Sequence, residues 1–365
     1  MLRILKIGSA FIGVIVGAGF ASGQEILQYF TSFGYLGILG ALVSTILFAY
    51  LGFILLKLGS RTRTTSHKEV IYQICGPYLG RVVDYIIIFT LFGVGVVMLA
   101  GAGSILQQQF GVTPFIGSLL MAILVIATVM LNVDKVVAVI GSVTPFLIVA
   151  IVVIGIYSIF TMDMSFAALE PIAASQKSTL PNWFIAGVNY ASFNIALGAA
   201  MALVMGGAEK NERTAATGGF LGGLGLGVLI LISNLAIFSK IDVVAAYDMP
   251  MLKIVDEISP ILAVAMSIIL FGMIFNTAVG MFYAFAARLI DMKKSVKKTG
   301  MFITVTVGVG FAASFFGFTK LVAFFYPLIG YLGLLLIAAL IVAPFRFFRK
   351  PKADKTKAMD NGKFV

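Results

Sequence analysis

Long apolar stretches separated by short polar connections dominate the chain. Ten of them come close to or exceed the roughly 20 residues a helix needs to cross a bilayer. They lie near 4–30, 35–58, 82–108, 114–131, 136–160, 182–206, 215–239, 259–288, 299–317 and 321–345. Each is of helical length, and none has the short alternating segments of a membrane β-barrel. The pattern predicts an all-α integral membrane protein of ten transmembrane helices.

Composition strengthens this. Of 365 residues, 60% are hydrophobic and 11% charged, against about 45–50% and 25% in an ordinary soluble domain. So little polar surface excludes a soluble enzyme, a disordered chain and a fibrous protein. Arg3 and Lys6 precede an apolar stretch that continues to about Phe30, longer than a secretory leader with its cleavage site. The net charge is +11, and its placement gives it meaning. With the N-terminus in the cytoplasm, all 26 Lys and Arg except Lys177, Lys240, Lys253 and Lys320 fall in cytoplasmic loops or the tail. That is the positive-inside bias, so the charge reads as a topology signal facing anionic lipid rather than as a nucleic-acid surface. Both termini are expected in the cytoplasm of a multi-pass protein of the cell membrane. One cysteine and one histidine leave no internal disulfide and no soft-ligand metal cluster. The membrane offers no nucleophile with a base, so no enzyme is expected.

Two short similarities suggest duplication. Phe11-Ile12-Gly13 matches Phe184-Ile185-Ala186, and Leu91-Phe92-Gly93 matches Leu270-Phe271-Gly272, each at a separation near half the chain. Five spans per half, an odd number, would make the second half enter from the opposite face. The expected organisation is a first repeat over 1–160, an extracellular connection over 161–181, a second inverted repeat over 182–348 and a cytoplasmic basic tail over 349–365. Many secondary transporters are built this way.

Polar residues inside spans point to the site. Gly17, Gly19 and Gly23 cluster within the first span, followed by Ser22, Gln24 and Glu25. Each glycine weakens a helix by about 0.8–1.0 kcal/mol relative to alanine, and unwound backbone in a membrane is tolerated only inside protein or around a polar cavity. A glycine face for close helix packing is the competing explanation of the cluster. In the sixth span Asn189, Tyr190, Ser192 and Asn194 fall together before Gly198. Helices 1 and 6 are therefore expected to be discontinuous at corresponding positions.

The run Gly17-Ala18-Gly19-Phe20-Ala21-Ser22-Gly23-Gln24-Glu25, opening a ten-span chain of this length, resembles the YkvI-type bacterial membrane proteins. These are similar in turn to the LeuT-like fold of the amino acid–polyamine–organocation superfamily. The resemblance covers essentially the whole chain and implies a fold more directly than a substrate, since such folds host transporters of many solutes and some receptors.

Backbone N–H groups freed at Gly17, Ala18 and Gly19 would suit an anionic group. Ser22, Asn189, Ser192 and Asn194 could add neutral hydrogen bonds, and Phe20 or Tyr190 could cover the solute. A small carboxylate-bearing solute, most simply an amino acid, is the expected substrate. For coupling, two places stand out. Glu25 is the carboxylate clearly inside a span, and such a group is a functional hypothesis by default; it could carry a proton or bind a cation, the competing explanations being a brace for the outer half-helix or a solvated position near the outer surface. Asn276-Thr277 offers oxygens suited to a hard cation, with interhelical hydrogen bonding by a polar pair as the competing explanation. By resemblance to sodium-coupled members of the fold, these would meet the carbonyls of Gly13, Val16 and Met273, with asparagine departing from the usual hydroxyl. Some proton-coupled relatives place a lysine in span 5; this chain has none at membrane depth. The expectation is a secondary active transporter using sodium or a proton, with no cofactor. The alternative is a receptor of similar fold that binds solute without moving it and needs a protein partner.

Overall fold

The structure is a computed structural model that describes residues 1–64, 67–130, 144–292 and 296–347. The described residues are helical with no strands. In chain order the helices are α1 (Leu2–Ile15), α2 (Ala18–Ser22), α3 (Gln24–Tyr29), α4 (Tyr35–Thr62), α5 (His67–Phe110), α6 (Pro114–Met130), α7 (Thr144–Phe160), α8 (Phe166–Ala174), α9 (Trp183–Ala208), α10 (Glu212–Ser239), α11 (Ile241–Val244), α12 (Pro250–Ile258), α13 (Pro260–Leu289), α14 (Val296–Ser314) and α15 (Phe318–Phe347). Tyr35–Thr62, Gly76–Phe110, Trp183–Ala208, Glu212–Ser239, Pro260–Leu289 and Phe318–Val342 are long and apolar enough to cross a membrane, and α6 and α7 are shorter apolar helices. The protein is thus a multi-pass membrane protein. Lys135, Ser142 and the tail 349–365 lie outside the described residues.

Local chemistry sets several boundaries. Asn182 caps α9 by accepting the Ile185 N–H at 2.9 Å, and Asn211 caps α10 by accepting from Arg213 and Thr214. Gly76, at φ 75° with Pro77 after it, bends α5. Within α15, Pro327 has no N–H to give to the Ala323 carbonyl, and the Thr179 hydroxyl donates to that oxygen instead at 3.0 Å.

The first predicted span is interrupted and the sixth is not. α1 ends at Ile15, Val16 is extended (φ −70°, ψ 94°), and Gly17 (φ −99°, ψ −175°) leads into the one-turn α2. A second break follows at Gly23, whose φ of 83° suits glycine and where a Cβ would also lie 2.7 Å from Met251 Cγ. The expected discontinuity of helix 6 is corrected: α9 runs unbroken from Trp183 to Ala208. Its polar residues reach sideways to α15 rather than disturbing their own helix, as described below.

Two packed groups form the body. α4 lies along α9 and α10, with α1 beside α10. Close approach there depends on small residues: a Cβ on Gly52 would lie 2.6 Å from the Gly219 carbonyl oxygen, and one on Gly40 would lie 2.8 Å from that of Trp183. α5, α6, α13 and α14 form the second group, and α15 bridges α5 and α9. The connection 240–258 folds over α2 and α3 at the end opposite the start of α1. Asp248 there accepts from the hydroxyls of Ser104 (2.7 Å) and Thr319, and the Gln108 amide exchanges two bonds of 3.0 Å with the Met249 backbone.

Candidate functional site

The break in the first span opens onto a cavity of about 320 Å3 between the two helix groups. From α1 and its break come Gly13 to Gly19, and from α3 comes Glu25; α13 contributes Met273, Asn276, Thr277, Gly280 and Met281. α9 supplies Phe193, Asn194, Leu197 and Met201, α5 supplies Val94 and Met98, and α15 supplies Tyr326.

All six residues expected at an ion-coupling site, Gly13, Val16, Glu25, Met273, Asn276 and Thr277, border this cavity. The break explains what the backbone offers. Val16 N–H is the last to bond into α1, to Ile12 at 2.7 Å, so the carbonyls of Gly13 and Val16 lie beyond the helical ladder. Across the cavity, Asn276 Oδ1 is buried with no hydrogen-bond donor.

The expected substrate residues divide. Gly17, Ala18, Gly19 and Asn194 are in the wall, whereas Phe20, Ser22, Asn189, Tyr190 and Ser192 are not. Their bonding explains why. Ser22 Oγ donates to the Gly19 carbonyl at 2.7 Å and accepts the Gln24 N–H at 3.2 Å, a turn-closing role between the two breaks. Asn189 accepts from Tyr29 at 3.1 Å and donates to the Pro327 carbonyl at 3.0 Å; Ser192 donates to the Gly330 carbonyl at 2.6 Å. These two side chains tie α9 to α15 and need no break. Phe20 is 2% exposed and packs in the core.

Tyr190 stands one layer behind the cavity. Its ring is boxed edge-on by Tyr29 (centroids 5.1 Å apart), Phe30 (5.0 Å) and Phe48 (6.1 Å). Its hydroxyl donates to Glu25 Oε2 at 3.2 Å. Glu25, 4% exposed, therefore reaches the cavity with a donor behind it. Gly19 makes room for that reach: a Cβ there would strike Glu25 Oε1, lie 2.8 Å from its Cδ and 3.1 Å from the Tyr326 hydroxyl. Tyr326 in turn stacks on Phe193 at 4.3 Å between centroids.

Met98, Met201 and Met281 were not expected in this wall. A methionine in an apolar span looks the same whether it faces lipid, core or cavity, and Tyr326 beside Pro327 reads from the sequence as able either to gate or to kink the last span. Asp84 of α5 pairs with Arg288 of α13 at 3.1 Å, away from the cavity.

No family model matches the chain. By sequence it is 29% identical over 339 residues to the uncharacterized membrane protein YkvI of Bacillus subtilis, covering 92% of this chain and 94% of the relative. It is 26% identical over 333 residues to YyaD of the same organism, covering 91% and 94%. Among solved structures it matches MhsT in complex with L-phenylalanine at a TM-score of 0.62, with 18% identity over 93% of this chain and 96% of that one. It matches the inward-facing conformation of Mhp1 at 0.59, with 13% identity over 94% and 77%; Mhp1 is a nucleobase-cation-symport-1 family transporter. The chain thus has the LeuT-like fold and is similar to YkvI and YyaD over nine-tenths of its length.

Proposed function

We propose that the protein is a secondary active transporter of a small carboxylate-bearing solute, an amino acid in the simplest case, driven by sodium through alternating access. The observation that carries this is the cavity at the broken first span. There, carbonyls released from α1 face Asn276 and Thr277, and Glu25 lies in the same wall. The L-phenylalanine held by MhsT supports an amino acid.

In this reading Gly13, Val16, Met273, Asn276 and Thr277 hold sodium through oxygens alone, which suits a hard cation. The unpartnered Asn276 Oδ1 is the specific support. Solute sits beside it against Ala18, Gly19, Asn194 and Glu25. The chain is organised as ten spans in two inverted halves, 1–160 and 182–348, joined by the extracellular connection 161–181. Both termini and the tail 349–365 are in the cytoplasm of a cell-membrane protein. Loop charge supports that orientation. With it, the cavity's extension to Met201 and Met281 faces the cytoplasm, while Met251, packed on Gly23, lies on the closed outer side.

Purified protein in proteoliposomes, screened with labelled amino acids under an imposed sodium gradient and separately under a pH gradient, tests this. Accumulation that follows sodium and weakens in Thr277→Ala supports it. Accumulation driven by pH alone moves the coupling role to Glu25, and binding with no flux under either gradient points to the receptor alternative.

A further inference from the structure

Resting on the reading of this cavity as a solute site, we infer that the solute carries a cationic amino group and that Glu25 is the residue that pairs with it. Glu25 is almost wholly buried and in the wall. An ionised carboxylate can accept about four hydrogen bonds, yet the described residues give it one, from the Tyr190 hydroxyl on Oε2. Among the described residues, no Lys, Arg or His borders the cavity. The ion pairs of the described residues, Lys240–Asp163, Lys253–Asp256, Lys253–Glu257 and Arg288–Asp84, all lie elsewhere. Ionising a carboxyl buried with so few donors is costly unless a cationic partner arrives.

The rest of the polar wall has the same bias. Asn276 Oδ1, assigned above to the sodium site, offers the solute no donor, and the Asn194 amide already donates to the Tyr190 carbonyl at 3.0 Å. An ammonium would supply three donors and the missing charge. A simple anion would face Glu25 with no countercharge in the wall. Gly19 is the positioning device, because with a side chain there the carboxylate could not sit against the cavity edge beside Tyr326. Beyond this head-group end, Met98, Leu197, Met201 and Met281 make an apolar, adaptable lining for the body of the solute. The favoured class is therefore a zwitterion or cation with a primary amine and an apolar body; a monocarboxylate lacking the amine is disfavoured.

Two matched probe pairs test this with the purified full-length protein: isopentylamine against 4-methylpentanoate, and phenethylamine against 3-phenylpropanoate, each titrated for ligand-induced thermal stabilisation. In the wild type the amine of at least one pair should bind at least about tenfold more tightly than its carboxylate, the scale expected for a buried charge pair. Glu25→Gln should bring the two within about threefold, and Glu25→Asp should keep the preference. Carboxylates binding as well as amines, no stabilisation by either amine, or an undiminished preference in Glu25→Gln would each overturn the inference. The wild-type comparison decides alone if Glu25→Gln does not fold. Amine preference without flux in proteoliposomes would refute the transporter reading and leave this one standing; sodium-driven uptake with carboxylate preference would do the reverse.

Discussion

Gly19→Ala probes the junction on which the site depends. The new Cβ would lie 2.8 Å from Glu25 Cδ, whereas carbon atoms pack best at about 3.5–4.0 Å, so the carboxylate must retreat by roughly 1 Å. Its bond from Tyr190 is already 3.2 Å long, and such a displacement strains or breaks it. A hydrogen bond to a charged group is worth about 1.5–3 kcal/mol, and overpacking adds about 1–3 kcal/mol. Alanine returns about 0.8–1.0 kcal/mol of helix propensity. Together these lower folding stability by about 1.5–5 kcal/mol, and the hydrogen-bond part, about 1.5–3 kcal/mol at the site, is about a tenfold to hundredfold loss of affinity for an amine probe. Gly17→Ala is the control, since the nearest atom to its Cβ is the Ile15 carbonyl oxygen at 4.0 Å; its affinity should stay within about threefold of wild type. Ligand-induced thermal shifts on both variants measure the contrast. Equal affinities in the two would refute the idea that Gly19 exists to seat Glu25.

Gly52→Val should lower thermal stability by about 1–3 kcal/mol, because its Cβ would stand 2.6 Å from the Gly219 backbone oxygen; Gly272→Ala, with nothing within 4 Å, should stay close to wild type in the same melt. Asp248→Ala removes the acceptor shared by Ser104 and Thr319 and should raise, several-fold, the labelling by an impermeant reagent of a cysteine placed at Gln28. Outside the membrane, the hydrogen bond from Lys253 to Glu257, at 2.6 Å, with Asp256 also accepting, holds the Lys253 ammonium above its ordinary value. A raised folded-state value means its stabilisation is complete below the unfolded-chain value near about 10.4 and is lost as pH rises through the folded one. Alkaline melts should therefore fall more gently in Lys253→Met than in wild type.

The break in the first span was legible because three glycines and a polar run cannot be explained by lipid-facing helix. The same holds for Asn276-Thr277, a polar pair in an apolar span. The continuity of α9 was not legible. Asn189 and Ser192 look like break residues in sequence, and only the register of α9 against the Pro327 and Gly330 carbonyls turns them into ties. Glu25 could be named from sequence, but not its support. Tyr190 lies 165 residues away, and a pairing at that separation leaves no local pattern. Met98 and Met201 were invisible for the opposite reason: hydrophobicity alone does not distinguish a cavity wall from a core or a lipid face.

Uptake of a labelled amino acid into proteoliposomes under an inward sodium gradient, compared between wild type and Thr277→Ala, tests the central claim most directly. Accumulation above equilibrium that collapses when sodium is equal on both sides, and is weakened in the variant, is the predicted result. Uptake indifferent to sodium in both proteins would contradict it.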